Sequence, residues 1–458
     1  MEKKALRVAD ARWWATRGLP LPLEDHAPGD TVPEPLRLGV GRPRTAAYVI
    51  YLFLVGRGYF GGFKTSEATT LMLESVTLRG FLANQQTTLP GRSTLTELVN
   101  AVTVATREEI LDAQIHAVLD DGWDDFSLLL QDSTAVEANT LWPSDSRRMV
   151  DLAKRLWRRL NQVHRVGLPC AESSRLPVLL HHMATLDRQI NLETLCRERK
   201  RTRRRLYRKL LVKAEVAVTL LAAGTEWVAG MLPSLVAPPS VGAQAARVID
   251  GLRTDVVNLR KVIANCQARI VHKEKVAAQD KVLSVSDSDA GFIVKGERDP
   301  VVGYKPQLAR SRQGFVTGLL VPQGNASDAR QLVPMFDAVV QRTGVVPQTA
   351  SVDDGYASLA NRTALKSRGV RVVSISGSKG SRITPPEEWV REDYETARDD
   401  RSAVESLMFT IKDGFDFGRV ARRGLRRVHE ELLEKVLAYN FCRMALLRCQ
   451  DRADEWAA

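Results

Sequence analysis

The spacing of apolar residues changes several times along this chain, and each change predicts a different kind of element. Between residues 45 and 125 apolar positions recur at helical spacing, interrupted by short Gly- and Pro-containing turns. From Phe126 to Gln131 the apolar residues are nearly continuous, which predicts a buried strand with Asp132 at its carboxyl end. Residues 146–280 return to helical spacing, and strand-like runs resume after residue 281. This order predicts two strand-containing regions, with one helical block before the first and another between them.

The first helical block contains two predicted helices, over about residues 65–78 and 95–110, which a Pro-Gly turn separates. This arrangement fits a helix-turn-helix that reads DNA. A small helical bundle would show the same pattern. Both interpretations stay open on the sequence alone.

The C-terminal half predicts a hairpin followed by a βαβ unit. Apolar runs at Val301–Ala309 and Gly314–Val321 predict the two strands of the hairpin. Further strands are predicted at Gln348–Val352 and Val370–Ile375, with a helix between them, which is the order of a parallel pair. Residues 376–400 are rich in Gly, Ser and Pro and are predicted to form a polar loop.

An amphipathic helix is predicted to follow that loop. One of its faces is an apolar stripe that would pack on a core. Arg401, Glu405 and Lys412 lie at i, i+4 and i+11 and therefore share a second face. A solvated ion pair between Arg401 and Glu405 would explain part of this spacing, and a metal and phosphate site would explain all of it.

Three carboxylates stand out by their predicted positions. Asp132 and Asp353 each end a buried strand, and Glu405 lies on the late helix. Sites in open α/β sheets collect at the carboxyl ends of strands, and oxygen ligands suit Mg²⁺ or Mn²⁺. Two such ions can support phosphodiester cleavage without a histidine or lysine base. Asp354 is expected to point away from Asp353 and to cap the next helix.

Composition adds a polyanionic partner. The chain has 66 Lys and Arg against 54 Asp and Glu, a net charge of +12, which is typical of nucleic-acid binding proteins. Residues 197–209 are mostly basic, and a cluster of one sign is tolerated best where a polyanion neutralises it. The residues of this cluster predicted to contact DNA phosphates are Arg199, Lys200, Arg201, Arg203, Arg204 and Arg205.

The five cysteines are scattered and lack a Cys-x-x-Cys pair, so neither a zinc ribbon nor a disulfide framework is expected. The start of the chain does not resemble a signal peptide, and the longest apolar run is too short to span a bilayer. These features predict a cytoplasmic protein without a membrane partner.

Five segments, in order, carry a family resemblance. They are Asp132–Asn139, Lys295–Lys305, Gly324–Asp328, Val352–Ser358 and the Arg401-x3-Glu405-x6-Lys412 pattern. With them, the chain resembles bacterial insertion-sequence transposases that have an RNase H-like DDE catalytic domain, in particular the ISNCY-like group. One departure concerns a Tyr that the related signature places three residues before the Arg. Arg398 stands there in this chain, and the nearest tyrosine is Tyr394.

The resemblance implies a fold class and a set of roles. The fold would be an α/β RNase H-like catalytic core, a mixed sheet flanked by helices, with an all-α N-terminal region and a large helical insertion. Asp132, Asp353 and Glu405 would form the catalytic triad and hold Mg²⁺ or Mn²⁺, as two ions. Arg401 and Lys412 would lie near the phosphates of the transposon end.

The expected organisation has six parts. They are an N-terminal arm (1–44), a helical DNA-binding domain (45–125), the first core strand (126–145), a helical insertion with the basic cluster (146–280), the remainder of the DDE core (281–425) and a C-terminal helix (426–458).

The expected function is DNA transposition. The protein would bind terminal inverted repeats, hydrolyse a phosphodiester at the element end and join the freed strand to target DNA. Its partners would be double-stranded DNA and further copies of itself, at least a homodimer, acting near the bacterial nucleoid. Two alternatives stay open: an RNase H-like nuclease without strand transfer, and a domesticated DNA-binding protein without catalysis.

Overall fold

The computed structural model of the protein divides into two compact units, which we call the sheet unit (residues 45–139 and 293–457) and the insertion unit (residues 140–292). The predicted N-terminal arm lies outside the described residues. Described are residues 45–457 except 61–64, 86–88, 141–143, 166–167, 169–174, 195–199, 236–237, 278–283, 286, 288 and 296–299.

The sheet unit opens with a group of short helices. These are α1 (Ala47–Tyr59), α2 (Thr65–Glu74), α3 (Val76–Asn84), α4 (Arg92–Ala101) and α5 (Val104–Asp120). Each of the two helices predicted in this region is split in the structure. Ser75 Oγ accepts a hydrogen bond from Leu78 N at 3.2 Å, and Thr103 Oγ1 accepts one from Thr106 N at 3.1 Å. Because these side chains cap a new helix start, they end the continuous helices that the apolar pattern predicted.

Five strands form the central mixed sheet, in the order β6-β5-β1-β7-β8. β5 pairs antiparallel with β1 and β6, whereas β7 pairs parallel with β1 and β8. The predicted parallel βαβ unit is therefore confirmed. The strands are β1 (Leu128–Ser133), β5 (Gln307–Arg310), β6 (Val316–Leu320), β7 (Thr349–Val352) and β8 (Val372–Ile375).

Helices cover both faces of this sheet. One face presents Leu129, Ala309, Ala350 and Val373 to a core shared with α10 (Leu332–Thr343) and α11 (Leu359–Ser367). The opposite face contacts α14 (Glu392–Asp400), α15 (Ser402–Phe415) and α16 (Leu425–Ala457). The alternation of side chains along each strand thus supplies two buried surfaces, as a sheet between helical layers requires.

The predicted strand over Val301–Ala309 is two strands. β4 (Val301–Tyr304) pairs with the short β2 (Val136–Glu137), and only after a break does β5 join the main sheet. Pro306 lies at the break and has no N–H to donate, while its carbonyl accepts a bond from Thr134 N at 3.0 Å. A third short strand, β3 (Gly291–Ile293), lies where the two units join.

The loop predicted over residues 376–400 is mostly helical. It contains α12 (Ser378–Ile383), α13 (Pro386–Trp389) and α14. Tyr394 is buried there, and its hydroxyl accepts a hydrogen bond from Ile375 N at 3.0 Å. The prediction of a loop was wrong because the segment is mostly polar, and its few buried residues, which pack these helices against the edge of the sheet, do not form a clear apolar pattern.

A buried charge cluster joins the N-terminal helices to α16. Glu434 on α16 receives Arg57, Arg107 and Arg422, with Nε of Arg57 at 2.9 Å and Nη2 of Arg107 at 2.7 Å from its oxygens. Although burial opposes ionisation, the three guanidinium groups lower the pKa of Glu434 to about 2. We call these four residues the Glu434 cluster.

The insertion unit is built from long helices that pack on one another. They are α6 (Asp145–Arg165), α7 (Arg175–Thr194), α8 (Lys200–Met231) and α9 (Pro239–Cys266). Leu152, Leu156 and Leu160 are buried on one face of α6, as the sequence predicted. The stretch Lys200–Ser234 contains an 18-residue window with a mean hydropathy of 1.4, so by length and composition alone it could cross a membrane. In this structure α8 packs against α6, α7 and α9 as a core helix of the unit.

Candidate active site

Asp132 and Asp353 lie side by side at one edge of the sheet. Gln131 of β1 is in register with Val352 of β7, and the next residue of each chain segment is the aspartate. Neighbouring strands are about 4.8 Å apart, so the two backbones hold the aspartates close together. Asp132 is 8% exposed. The two aspartates therefore lie next to each other at adjacent strand ends, as the sequence predicted.

Lys295 supplies a positive charge to this pair. Its Nζ lies 2.8 Å from Oδ1 of Asp132 and also bonds the carbonyl oxygen of Ser133. Lys295 lies in one of the five segments that carry the family resemblance, but its sequence context predicts no role for it. Its contact depends on residues far apart in the chain, so no local pattern signals it.

Asp353 is shaped by burial and by its neighbour. Its Oδ1 accepts a hydrogen bond from Gly355 N at 2.9 Å, which fixes the carboxylate over a short 3₁₀ turn. Burial raises the pKa of Asp353, and the charge of Asp132 raises it further. The bond from Gly355 and the charge of Lys295 act in the opposite direction. The two aspartates therefore repel each other, with one lysine to offset the repulsion.

Asp354 points elsewhere, as expected, but it does not cap the next helix. Its Oδ1 accepts bonds from Lys379 N at 2.7 Å and Gly380 N at 3.1 Å, at the start of α12. The next helix, α11, is capped instead by Ser358. The prediction named the wrong helix because the return of the chain after β8 brings α12 to this edge.

A further acid, Asp328, stands beside the pair. Lys305 Nζ and Gln307 Nε2 each donate to its carboxylate at 2.8 Å. A Cβ placed on Gly355 would lie 3.1 Å from Oδ1 of Asp353 and 3.3 Å from Oδ2 of Asp328, so both carboxylates border the same glycine. The motif Gly324–Asp328 was the sequence signal for this residue, although no role followed from it.

Glu405 is placed differently from the two aspartates. Its side chain is 58% exposed, and its Oε1 lies 2.8 Å from Nη1 of Arg401. This is the i, i+4 ion pair that the sequence left open as an alternative. Lys412 lies farther along the same helix. Among the described residues, no three acidic, histidine or cysteine side chains are close enough to hold a metal ion.

The donor set therefore fits a hard cation in part. Two neighbouring carboxylates that repel each other, one buried and one half-buried, would be stabilised by a divalent ion. Carboxylate oxygens are the ligands that Mg²⁺ and Mn²⁺ prefer. Lys295 contacts one of these oxygens in the structure. A third carboxylate ligand from Glu405 would require that side chain to leave Arg401.

Comparison with protein families identifies this region. Residues 286–441 match the model of a family described as the transposase DDE domain. This part of the chain is similar to a transposase DDE domain. The matched part of the DDE domain includes Asp353, Glu405 and Lys295, and it begins after Asp132 and most of the insertion unit. The resemblance to insertion-sequence transposases is confirmed at this level, and the family implies a DNA substrate.

No curated protein and no solved structure matches the chain. The similarity to the DDE family therefore rests on the match of residues 286–441.

The basic cluster lies away from these residues in the sequence, on the insertion unit. Arg199 lies outside the described residues. The others occupy the first turns of α8, where Arg203 is half-buried and the remaining four are exposed, namely Lys200, Arg201, Arg204 and Arg205.

Proposed function

We propose that this protein is a DNA transposase that binds terminal inverted repeats, hydrolyses a phosphodiester at each element end and transfers the freed strand to target DNA. The observation that carries the proposal is the pair of aspartates at adjacent strand ends, the buried Asp132 and the half-buried Asp353, together with a DDE family match. The strand order β6-β5-β1-β7-β8, with β1, β7 and β8 parallel, supports an RNase H-like core.

Each residue of the proposed triad has a stated task. Asp132 and Asp353 would hold the divalent metal, and Glu405 would be the third ligand if its side chain left Arg401. Bound Mg²⁺ or Mn²⁺, as two ions, supplies the activation of the attacking oxygen and the stabilisation of the leaving one. Lys295 neutralises Asp132 when the site lacks metal. Arg401, released from Glu405, then contacts a DNA phosphate with Lys412.

The proposal also assigns a role to the insertion unit and an oligomeric state to the protein. The exposed basic residues at the start of α8 contact the DNA backbone, a contact that depends on salt but not on base sequence. Two element ends must be handled together, so the protein acts as a homodimer or a larger assembly on double-stranded DNA in the bacterial cytoplasm.

The test is cleavage and joining of element-end DNA in Mg²⁺ by the wild-type protein and by Asp132→Asn, Asp353→Asn and Glu405→Gln. We expect cleavage and joining to be lost in all three. The matched control is Asp413→Asn, which removes an exposed carboxylate from the helix that carries Glu405 and should leave both products unchanged.

The products separate the alternatives. Cleavage without joined products would favour a nuclease, and Mg²⁺-independent binding without any cleavage would favour a non-catalytic DNA-binding protein. If Glu405→Gln keeps full activity while both aspartate variants lose it, Glu405 is not the third metal ligand.

A further inference from the structure

The helix α8 of the insertion unit exposes a row of apolar side chains. Only 33% of the apolar 18-residue window of this helix is buried, whereas a core helix of a soluble protein is mostly buried. The exposed apolar residues are Val212, Val216, Leu220, Ala223 and Trp227, and the four large ones range from 37% exposed for Leu220 to 68% for Val212. We call these five residues the α8 stripe.

The α8 stripe is continuous along the helix. Its residues lie at i, i+4, i+8, i+11 and i+15, so at 100° per residue they share a sector of about 80° over a length of roughly 22 Å. Single exposed apolar residues are common on protein surfaces, whereas a contiguous apolar patch marks a site of interaction. One side of α8 thus packs inside the insertion unit, and the other has the pattern of a contact surface.

The two ends of this face carry different charges. Arg208 and Lys209 are exposed just before the stripe, and Glu226 is exposed at its far end. Arg208 and Glu226 are eighteen residues apart, which is five full turns, so they point in the same direction from the helix axis. Glu226 forms an ion pair with Arg253 of α9 at 3.0 Å, and both side chains are more than half exposed. The carboxylate of Glu226 can therefore accept a second cation.

This charge pattern favours one orientation of a second copy. In a parallel pair of α8 helices, the basic ends would meet each other and repel. In an antiparallel pair centred near Ala217, Arg208 of one copy lies opposite Glu226 of the other, because each is nine residues from that centre. The face is then complementary to itself, as the contact of a twofold-symmetric dimer requires.

The apolar residues match in the same register. Val216 is next to the centre and meets its own copy, and Val212 meets Ala223 of the other helix, a larger residue against a smaller one. Lys209 lies opposite Trp227, where an ammonium group over an indole ring is favourable. Each end of the contact thus receives an ion pair and a cation–aromatic contact, and the middle is apolar.

We propose that the α8 stripe binds the α8 stripe of a second copy of this chain in an antiparallel pair. The proposal deepens the proposed function, because it gives the homodimer a contact surface, and it rests on that function only for the DNA that the dimer binds. The basic residues Lys200–Arg205 lie outside the contact, at its two ends. With a rise of 1.5 Å per residue, the two basic clusters are roughly 40 Å apart, or about 12 base pairs of duplex DNA.

The first test measures self-association of the full chain without DNA or metal. One helix face makes a small interface, so we expect a dimer with a micromolar dissociation constant in sedimentation equilibrium. Val216→Lys puts two like charges at the centre of the contact and should weaken association about a hundredfold or more. The matched control is Val257→Lys on the adjacent α9, where Val257 is 62% exposed and outside the stripe. This variant should associate as the wild type does.

Disulfide formation tests the antiparallel orientation. Oxidation should join two copies of Val216→Cys, because these positions face each other across the centre. A Cβ at Gly230 would lie more than 4 Å from the described atoms around it, so a side chain is tolerated there. Two copies of Gly230→Cys should not be joined, because in the antiparallel pair they are roughly 40 Å apart, whereas a parallel pair would join both variants. Mass spectrometry of the joined peptides separates these disulfides from those of the native cysteines.

Exchange of the charges tests the register. Arg208→Glu and Glu226→Arg should each weaken association about tenfold, because two like-charge contacts arise in every dimer. Combined in one chain, the two substitutions restore opposite charges and should recover most of the loss. A purely structural role of either residue would not produce this recovery.

Several outcomes would overturn the proposal. They are a monomer at every concentration tested, a dimer that Val216→Lys leaves intact, and a disulfide at position 230. A monomer whose binding to phosphatidylglycerol vesicles is lost in Val216→Lys would make the stripe a membrane surface. A monomer in which the thiol of Val216→Cys resists a thiol reagent would mean that another part of the chain covers the stripe. Because neither DNA nor cleavage is involved, a protein that fails as a transposase can still form this dimer, and an active one can fail to form it.

Discussion

Two charge clusters in the sheet unit, the buried Glu434 cluster and the half-buried group of Asp132, Asp353 and Lys295, have opposite balances of charge. In the Glu434 cluster three guanidinium groups surround one carboxylate, whose pKa falls to about 2. At the strand ends two carboxylates share one lysine, and the pKa of Asp353 is raised by burial and by Asp132. The first cluster is held together by its own charges, whereas the second lacks positive charge. Two neighbouring carboxylates with only one nearby lysine would be stabilised by a bound cation.

The largest expected effect comes from breaking the balanced cluster. Glu434→Gln leaves three buried or half-buried guanidinium groups without their anion, and removing one partner of a buried ion pair costs roughly 3–5 kcal/mol. We expect that loss in the free energy of unfolding measured with urea. Glu430→Gln, one turn earlier on α16 and involved in longer contacts of 3.6 and 3.7 Å, should cost less than about 1 kcal/mol. Equal losses would show that the contacts of Glu434 contribute no more to stability than those of Glu430.

Low pH should break the ion pairs of the Glu434 cluster. The pKa of Glu434 is lowered from 4.5 to about 2, so its stabilising contribution is present above the unfolded value and is lost as the pH falls between these two values. The difference in unfolding free energy between wild type and Glu434→Gln isolates this group from other carboxylates. That difference should shrink from about pH 4.5 towards pH 2, and a difference that stays constant would contradict the assignment.

The unbalanced cluster should respond to metal instead. Mg²⁺ at about a hundredfold excess over its dissociation constant should stabilise the wild type by about 2.7 kcal/mol, because it binds only the folded chain. Asp132→Asn and Asp353→Asn should lose most of this gain, whereas Asp413→Asn should keep it. Calorimetric unfolding with and without Mg²⁺ provides the measurement. A gain of the same size in both aspartate variants would place the metal elsewhere.

The smallest effect has the opposite sign to the first. Without metal, Asp353→Asn removes the repulsion with Asp132 while its side-chain oxygen can still accept the bond from Gly355. We expect an increase in unfolding free energy of up to about 1 kcal/mol at neutral pH. Urea unfolding in EDTA measures it, and a clear loss of stability would mean that Lys295 already balances the pair.

The two aspartates were predictable because each follows a short predicted strand, a nearly continuous apolar run before Asp132 and the segment Gln348–Val352 before Asp353. Such runs mark buried strands, and parallel strands bring their carboxyl ends to one edge, so the sequence was enough to bring Asp132 and Asp353 together. The same reasoning did not settle Glu405. A helix period shows which residues share a face, but it does not show whether Arg401 or a metal is the partner.

Contacts between distant parts of the chain could not be predicted from the sequence. Lys295 reaches Asp132 across the whole insertion, and Arg310 meets Arg443 only because α16 returns to the β5–β6 turn. Residues 376–400 were predicted as a loop because their few buried side chains, such as Tyr394, are separated by charged ones. The polar and charged residues of this segment therefore predicted a loop, whereas in the structure the few buried side chains determine how its helices pack.

The junction of the insertion unit has an evolutionary consequence. The chain leaves the sheet unit after Asn139 and re-enters it at Ile293, and the pairing of Val136 with Tyr304 holds the two flanks together. Because both flanks are anchored by the same short ladder, an ancestral gene could have gained, exchanged or lost these helices without disturbing the strands. A change in the length of the segment between Asn139 and Ile293 would therefore leave the strand ends that carry Asp132 and Asp353 in place.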